Sequence, residues 1–344
     1  MQAKYTPLHT GGYECHIFLE GSWILKVYKW FLLKGLSLEH EKSLWKNQKK
    51  RLDVYAPDLE STEMAFSSGG YRISDFNSSK IFCCGLRIRK GVPLVEEKWK
   101  NAASSERINW AKKIGEKLAF YHKTSPRLPN PYYKNPRLLY NGVGEVCKIL
   151  VANRGDHTFI PSMCTIVQTK LPHLRSLEES ANQRFLTLVH GDLNLDNIVL
   201  KNNRIQFIDP GTALPIGLKI STFAGIPFDT GWDLATLSAS LNWFEGKKCS
   251  EKFMETYARE CHLKMEELNS RKQYWQMLYF LMIAAVCLKH SKELSVSHNP
   301  IHHLLKYRDF SFPMYIDYYL ASALQVLGAL AQFPVLAKLL DNKK

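Results

Sequence analysis

The sequence predicts an α+β chain with two unequal lobes: a small antiparallel-sheet lobe over residues 1–90 and a large, mainly helical lobe over residues 91–344. Three observations predict this. The first lobe's residues form short β-rich runs punctuated by glycine turns, with one helical pattern among them. Past the turn Arg89-Lys90-Gly91-Val92-Pro93, apolar residues recur at helical spacing. The helical part is interrupted by one polar loop flanked by apolar residues, Leu188–Leu200, and a hairpin that follows it.

The elements follow in order. Thr10-Gly11-Gly12 and Glu20-Gly21-Ser22 are turn signals on either side of Ile17, Phe18 and Leu19, and Trp23–Tyr28 is an apolar strand carrying one charge, Lys26. Residues 37–51 read as a helix, with Ser37 as N-cap, Glu39 and Glu41 in the first turns and Lys49, Lys50 and Arg51 in the last. Strand candidates follow at Tyr71–Phe76 and Lys80–Ile88, and the chain crosses between lobes near 86–95. Ile108, Ala111, Ile114, Leu118 and Tyr121 mark a helix over 105–123. Four prolines make 124–137 a loop. Helices are expected at 143–153 and 176–186. Two short strands, Ile198–Leu200 and Arg204–Ile208, are joined by the turn Lys201-Asn202-Asn203. The remainder reads as helix at 231–245, 250–262, 268–290 and 314–340, with a break at Pro334.

Composition excludes several classes. Hydrophobic residues are 45% and charged residues 23%, ordinary for a globular chain and too apolar for a disordered one. No repeat of fixed period appears. The eight cysteines contain no CxxC pair, and a disulfide framework is not expected in so long a chain. Adjacent Cys83 and Cys84 lie in an apolar run and read as small buried hydrophobes. The longest apolar stretch, Tyr279–Leu288, is about half a membrane span. A cytoplasmic protein is expected, with a peripheral membrane contact left open. Forty-six Lys and Arg against 32 Asp and Glu give a net charge of +14, spread along the chain, which favours anionic partners or reflects a Lys-rich source. No nucleic-acid-binding motif accompanies the charge, so a nucleic-acid partner is not expected.

The chemistry concentrates in Leu188–Leu200, LVHGDLNLDNIVL, and in Phe207-Ile208-Asp209-Pro210-Gly211 one hairpin later. Phosphoryl transfer needs such a set. A carboxylate orients the attacking hydroxyl and accepts its proton, and Mg²⁺ neutralises the phosphates. Mg²⁺ takes oxygen ligands and keeps several waters, so an Asn and an Asp suffice from the protein. The hairpin between Asn197 and Asp209 would bring both to one end of a strand pair.

These residues resemble the aminoglycoside-phosphotransferase and choline-kinase superfamily, built on the protein-kinase-like fold. Its catalytic-loop pattern, H-x-D-x-x-x-x-N with a metal-binding Asp some way on, is met by His190, Asp192, Asn197 and Asp209. The resemblance implies Asp192 as catalytic base, Asn197 and Asp209 as Mg²⁺ ligands, and His190 as a scaffold for the loop backbone. It implies Lys26 as the strand lysine on the nucleotide phosphates and Glu41 as its helix partner; Lys29 and Glu39 remain alternatives. Gly11 and Gly12 stand where a phosphate loop would lie, without the G-x-G-x-x-G pattern. The resemblance also implies that the nucleotide base lies near the crossing at Leu86 and Ile88. Trp232-Asp233-Leu234-Ala235 resembles the family's helix start, whose Asp braces the catalytic loop. His122 reads as a packed histidine, and Asn194 and Asp196 as either site neighbours or a solvated loop. The likeness runs in order over residues 8–245.

Departures narrow the implied activity. Gly191 and Asn194 stand where protein kinases place Arg and Lys, and no A-P-E segment follows Asp209. The resemblance therefore implies a Mg²⁺-dependent phosphotransferase moving the γ-phosphate of ATP or GTP to a hydroxyl of a sugar-like or other small acceptor. A lipopolysaccharide-core kinase at a membrane surface, an aminoglycoside kinase and a degenerate kinase acting as a binding module are the alternatives.

Overall fold

The computed structural model describes residues 6–7, 15–28, 49–50, 52–67, 72–73, 81–94, 98–125, 137–179, 186–210, 227–245, 247–289 and 312–341. Strands β1 (Thr6–Pro7), β2 (Cys15–Glu20), β3 (Trp23–Tyr28), β4 (Ser61–Ser67), β5 (Arg72–Ile73) and β6 (Ile81–Arg89) form one antiparallel sheet in the order β1-β2-β3-β6-β4-β5. Lys26 on β3 lies opposite Ile17 on β2 and Leu86 on β6. Ile88 is buried opposite Ile24. Strand β4 was not legible: Ser, Thr and Glu open it, and its pairing with β6 supplies what its composition lacks. Of the strand expected at Tyr71–Phe76 only β5 falls within the described residues. The expected helix over 37–51 lies outside them except for residues 49–50, and helix continues at 52–55.

The chain leaves the sheet at Arg89 and enters β7 (Val92–Pro93), which the sequence reads as part of a turn. Its partner is the hairpin strand β9, so the crossing is tied directly to the strand that leaves the loop over 190–197. The large lobe follows: α1 (Ser104–Thr124), α2 (Arg137–Ala152), α3 (Ile160–Glu179), β8 (Leu186–Leu188), β9 (Ile198–Lys201), β10 (Arg204–Phe207), β11 (Pro227–Asp229), α4 (Thr230–Glu245), α5 (Lys247–Cys261), α6 (Met265–Lys289), α7 (Phe312–Val326) and α8 (Pro334–Asp341). Among the described residues, no helix is long and apolar enough to cross a membrane.

Two expectations are corrected here. Helix α3 begins at Ile160, not at 176. Pro161 sits harmlessly in the first turn, where its missing N–H costs nothing, but Pro172 inside the pattern reads as a breaker. The last helix does not run to a break at Pro334. It stops at Val326, Gly328 takes a left-handed backbone (φ 63°), and Pro334 opens the next helix. The β9–β10 turn is as expected: Asn202 and Asn203 both have positive φ (52° and 59°), which gives the twist a two-residue hairpin needs.

Two apolar clusters hold the lobe. One, built on Leu118, Leu195, Ile198, Phe207, Leu237 and Phe253, includes Leu193 and Leu195 of the loop over 190–197. The other joins α2, α3, α6 and α7 around Trp275, Leu278 and Leu320. Between them lies a buried ion pair. The Arg271 guanidinium on α6 grips the Asp229 carboxylate, which also accepts from the Gly231 N–H (2.8 Å) and so caps α4. Arg271→Met leaves a buried carboxylate uncompensated. It is expected to cost about 3–5 kcal/mol in chemical denaturation, and Asp229→Asn in the same chain should recover part of that loss.

Candidate active site

Strand β8 delivers the chain to His190, and β9 carries it away from Asn197. The intervening turn must place polar groups at the cleft while its own backbone is satisfied. Three devices do this. Gly191 takes φ 91°, a conformation that side chains resist, which explains glycine where protein kinases carry Arg. Asn194 caps the 3-10 turn Leu195–Asn197: its Oδ1 accepts from the N–H groups of Asp196 (2.9 Å) and Asn197 (3.2 Å). Asn194 is thereby a structural cap. The third device is Asp233 at the start of α4, fully buried. Its Oδ2 accepts from the His190 N–H (2.7 Å) and its Oδ1 from the Gly191 N–H (2.9 Å). His122 Nε2 lies 3.1 Å from Oδ2, and His122 Nδ1 lies 2.8 Å from the Tyr257 hydroxyl. His122 is thus a packed histidine, as its sequence reading has it.

The sequence-predicted residues come together around this frame. The Asn197 amide donates to the Asp192 carbonyl (2.7 Å) and carboxylate (3.2 Å). His190 Nε2 donates to the Ile208 carbonyl (2.9 Å), tying the loop to the residue before Asp209. The Asn197 carbonyl accepts from the Ile208 N–H (2.9 Å). Asp209 has a left-handed backbone (φ 57°), a strained state that Asp tolerates better than most residues. Its carboxylate forms an ion pair with the Lys26 ammonium, which reaches across from β3 and is only 7% exposed. Lys26, Asp192, Asn197 and Asp209 therefore share one site. Gly11, Gly12 and Glu41 lie outside the described residues, as do Lys29 and Glu39.

Electrostatics separates the two carboxylates of the loop's frame. Burial pushes the Asp192 carboxyl above its ordinary range, against hydrogen bonds from Asn197 and Asn194 and the charge of Lys26. Burial acts on Asp233 in the same sense, yet His122, His190 and the Gly191 N–H more than offset it and hold that carboxyl low.

Sequence reasoning missed several partners. Trp232 Nε1 donates to the Gly191 carbonyl (2.6 Å). Ser240 Oγ accepts from the Leu195 N–H (3.0 Å). Ser240 lies seven residues after Asp233, two helical turns along the same face, and that spacing was the available signal. Tyr55 gave none: its ring meets His190 from 135 residues away.

No protein-family model matches the sequence, and no curated protein matches it. Solved structures do. A choline/ethanolamine kinase family protein from Mesorhizobium loti aligns over 97% of this chain and 92% of its own, with a TM-score of 0.56 and 15% identity. The GDP complex of an aminoglycoside 2'-phosphotransferase aligns over 96% of this chain and 93% of its own, with a TM-score of 0.51 and 14% identity. A microcompartment-associated aminopropanol kinase aligns over 96% and 93%, with a TM-score of 0.50 and 13% identity. The chain has the two-lobed α+β fold of these small-molecule kinases.

The raised Asp192 carboxyl carries a sign. The native state favours its protonated form, so stability falls as pH rises through that raised range. Asp192→Asn is therefore expected to melt at or above the wild-type temperature at pH 8, with the gap closing on acidification. Differential scanning calorimetry across pH checks this. Asp233→Ala should do the reverse, because it orphans the His190 and Gly191 N–H groups; a loss of about 1–3 kcal/mol per buried group is expected.

Proposed function

We propose that the protein is a Mg²⁺-dependent phosphotransferase that moves the γ-phosphate of ATP or GTP to the hydroxyl of a small acceptor. One observation carries the reading: Lys26 from the sheet and Asp192, Asn197 and Asp209 from the large lobe converge across the cleft, in a fold shared with solved small-molecule kinases.

The donors fit a hard cation. The Asn197 side chain spends its NH₂ on Asp192, which directs its Oδ1 elsewhere. The Asp209 carboxylate stands at the cleft, one-third exposed. Among the described residues, no group of three or more His, Cys, Asp or Glu could hold a metal. One amide oxygen and one carboxylate suit an ion that keeps several waters. Asn197 and Asp209 would hold Mg²⁺, which supplies charge neutralisation on the phosphates when bound. Lys26 would release Asp209 and turn to the phosphates. Asp192 would orient the acceptor hydroxyl and take its proton as the bond to phosphorus forms and the bond to the β-phosphate oxygen breaks. Positioning and charge supply most of the rate.

The acceptor side favours a small alcohol bearing a cationic group. Tyr279 on α6 and Tyr315 and Tyr319 on α7 form an edge-to-face cluster, with Tyr279 also meeting Trp232 (6.2 Å). Burial pushes the phenols of Tyr279 and Tyr315 up, and both feel the negative charge of Asp196, Tyr279 that of Asp192 as well. On this reading the half-buried Tyr279 ring and the Asp196 charge would together attract a cationic group. The choline/ethanolamine and aminopropanol kinases of the same fold are named for amino alcohols. The net charge of +14 favours the second reading, a sugar-like or phosphorylated acceptor.

Two measurements test this. Thermal shift with ATP and with GTP, each with and without Mg²⁺, should show a Mg²⁺-dependent rise of about 2.7 kcal/mol at a hundredfold excess over Kd, lost in Asp209→Asn. Phosphotransfer should then appear with amino alcohols or aminoglycosides before neutral sugars, and vanish in Asp192→Asn. No nucleotide shift would favour the binding-module alternative.

A further inference from the structure

Tyr55 lies in the helical stretch 52–55 that precedes β4, and its side chain is fully buried. Its hydroxyl donates to the Leu188 carbonyl, two residues before His190. Its ring meets the His190 ring edge-on at 5.1 Å and the Tyr121 ring at 5.1 Å, and lies 6.4 Å from Phe207, two residues before Asp209. The Tyr121 hydroxyl returns a hydrogen bond to the Tyr55 carbonyl (2.8 Å). Three residues on, Asp58 is clasped to β10: Gln206 Nε2 donates to its carboxylate (2.8 Å). Gln206 is itself fully buried. Strand β4 then begins at Ser61 and pairs with β6, the neighbour of the Lys26 strand.

The segment 55–58 thus fastens the sheet that carries Lys26 to the two chain ends that carry Asp192 and Asp209. We infer that Tyr55 is a positioning residue that sets the catalytic loop against the sheet, through its hydroxyl on Leu188 and its ring on His190. The inference rests on the phosphotransferase reading for its kinetic consequence, and on geometry alone for its structural one. A ring of this kind has few rotamers and a fixed depth, so it transmits position well. An error of about 1 Å between phosphate and acceptor costs up to about a hundredfold in rate.

The test uses the full chain with Tyr55→Phe, which keeps the ring and drops the hydroxyl, and Tyr55→Leu, which removes both. Hydrogen exchange is read for peptides covering 186–197 and 204–210, against α6 and α7 as an internal reference. Exchange in the first two should rise about tenfold in Tyr55→Phe and further in Tyr55→Leu, with α6 and α7 unchanged. In the same variants kcat should fall about tenfold or more while the nucleotide KM stays within about twofold. Unchanged exchange in 186–197, or an equal rise everywhere, overturns the positioning role. So does a wild-type kcat in Tyr55→Leu while Asp192→Asn is dead. If the wild type itself transfers no phosphate, the phosphotransferase reading fails, and the exchange pattern still decides the role of Tyr55.

Discussion

Asp233 is a carboxylate with no access to water, and a charge in that position is stable only when its lone pairs are filled by donors. The donors here are the N–H groups of His190 and Gly191 and the ring of His122. That requirement dictates much of what surrounds it. The two N–H groups can converge on one carboxylate only if the chain turns sharply, and Gly191 makes the turn at φ 91°. The turn in turn exposes the Gly191 carbonyl, which Trp232 covers from the residue beside Asp233. Helix α4 must hold its first turn rigid for all of this, and the Asp229–Arg271 pair caps it. The loop conformation that presents Asp192 and Asn197 is thus a consequence of how one buried charge is satisfied.

The second constraint is charge across the cleft. Lys26 is buried on a strand, and Asp209 sits on the opposite lobe in a strained backbone state. The two form an ion pair across the cleft. Their pairing sets an ammonium against a carboxylate, and the charge of Lys26 also bears on the neighbouring Asp192. On the proposed reading, a Mg-nucleotide would offer a cation to Asp209 and phosphates to Lys26 in place of their mutual ion pair. Binding of this kind is an exchange of partners, and its strength is set by differences between ion pairs rather than by any single one.

The loop over 190–197 was legible because its motif is contiguous. Thirteen residues contain the acid, the amide and the histidine, with apolar flanks that announce short strands. Lys26 was legible because it interrupts an apolar strand. What stayed hidden is tertiary. Strand β4 is polar by composition and exists because β6 pairs with it. Helix α3 survives an internal proline that a pattern reader must treat as a stop. Arg271 looks like any surface residue of a helix until Asp229 is seen beside it. Tyr55 belongs to a segment with no motif, and its meaning comes from Leu188, His190 and Tyr121. Residues whose role is chemical leave short signatures, whereas residues whose role is to hold distant segments together leave almost none.

That asymmetry bears on how the fold accommodates different acceptors. The groups proposed to act on phosphate occupy β3 and the stretch 190–209, and the devices that hold them, Asp233, His122, Trp232 and Tyr55, surround that stretch on every side. The groups proposed for the acceptor side, Tyr279, Tyr315 and Tyr319, belong to α6 and α7 and to the other apolar cluster. Trp232 joins the two sets by packing against Tyr279 and Trp275. On the proposed reading, substitutions at Tyr315 and Tyr319 on α7 would reshape the acceptor side without touching Asp233, whereas Arg271 on α6 is tied to the α4 cap through Asp229. If the proposed function holds, transfer chemistry rests on the frame built around one desolvated charge, and acceptor choice on helices packed into the other apolar cluster.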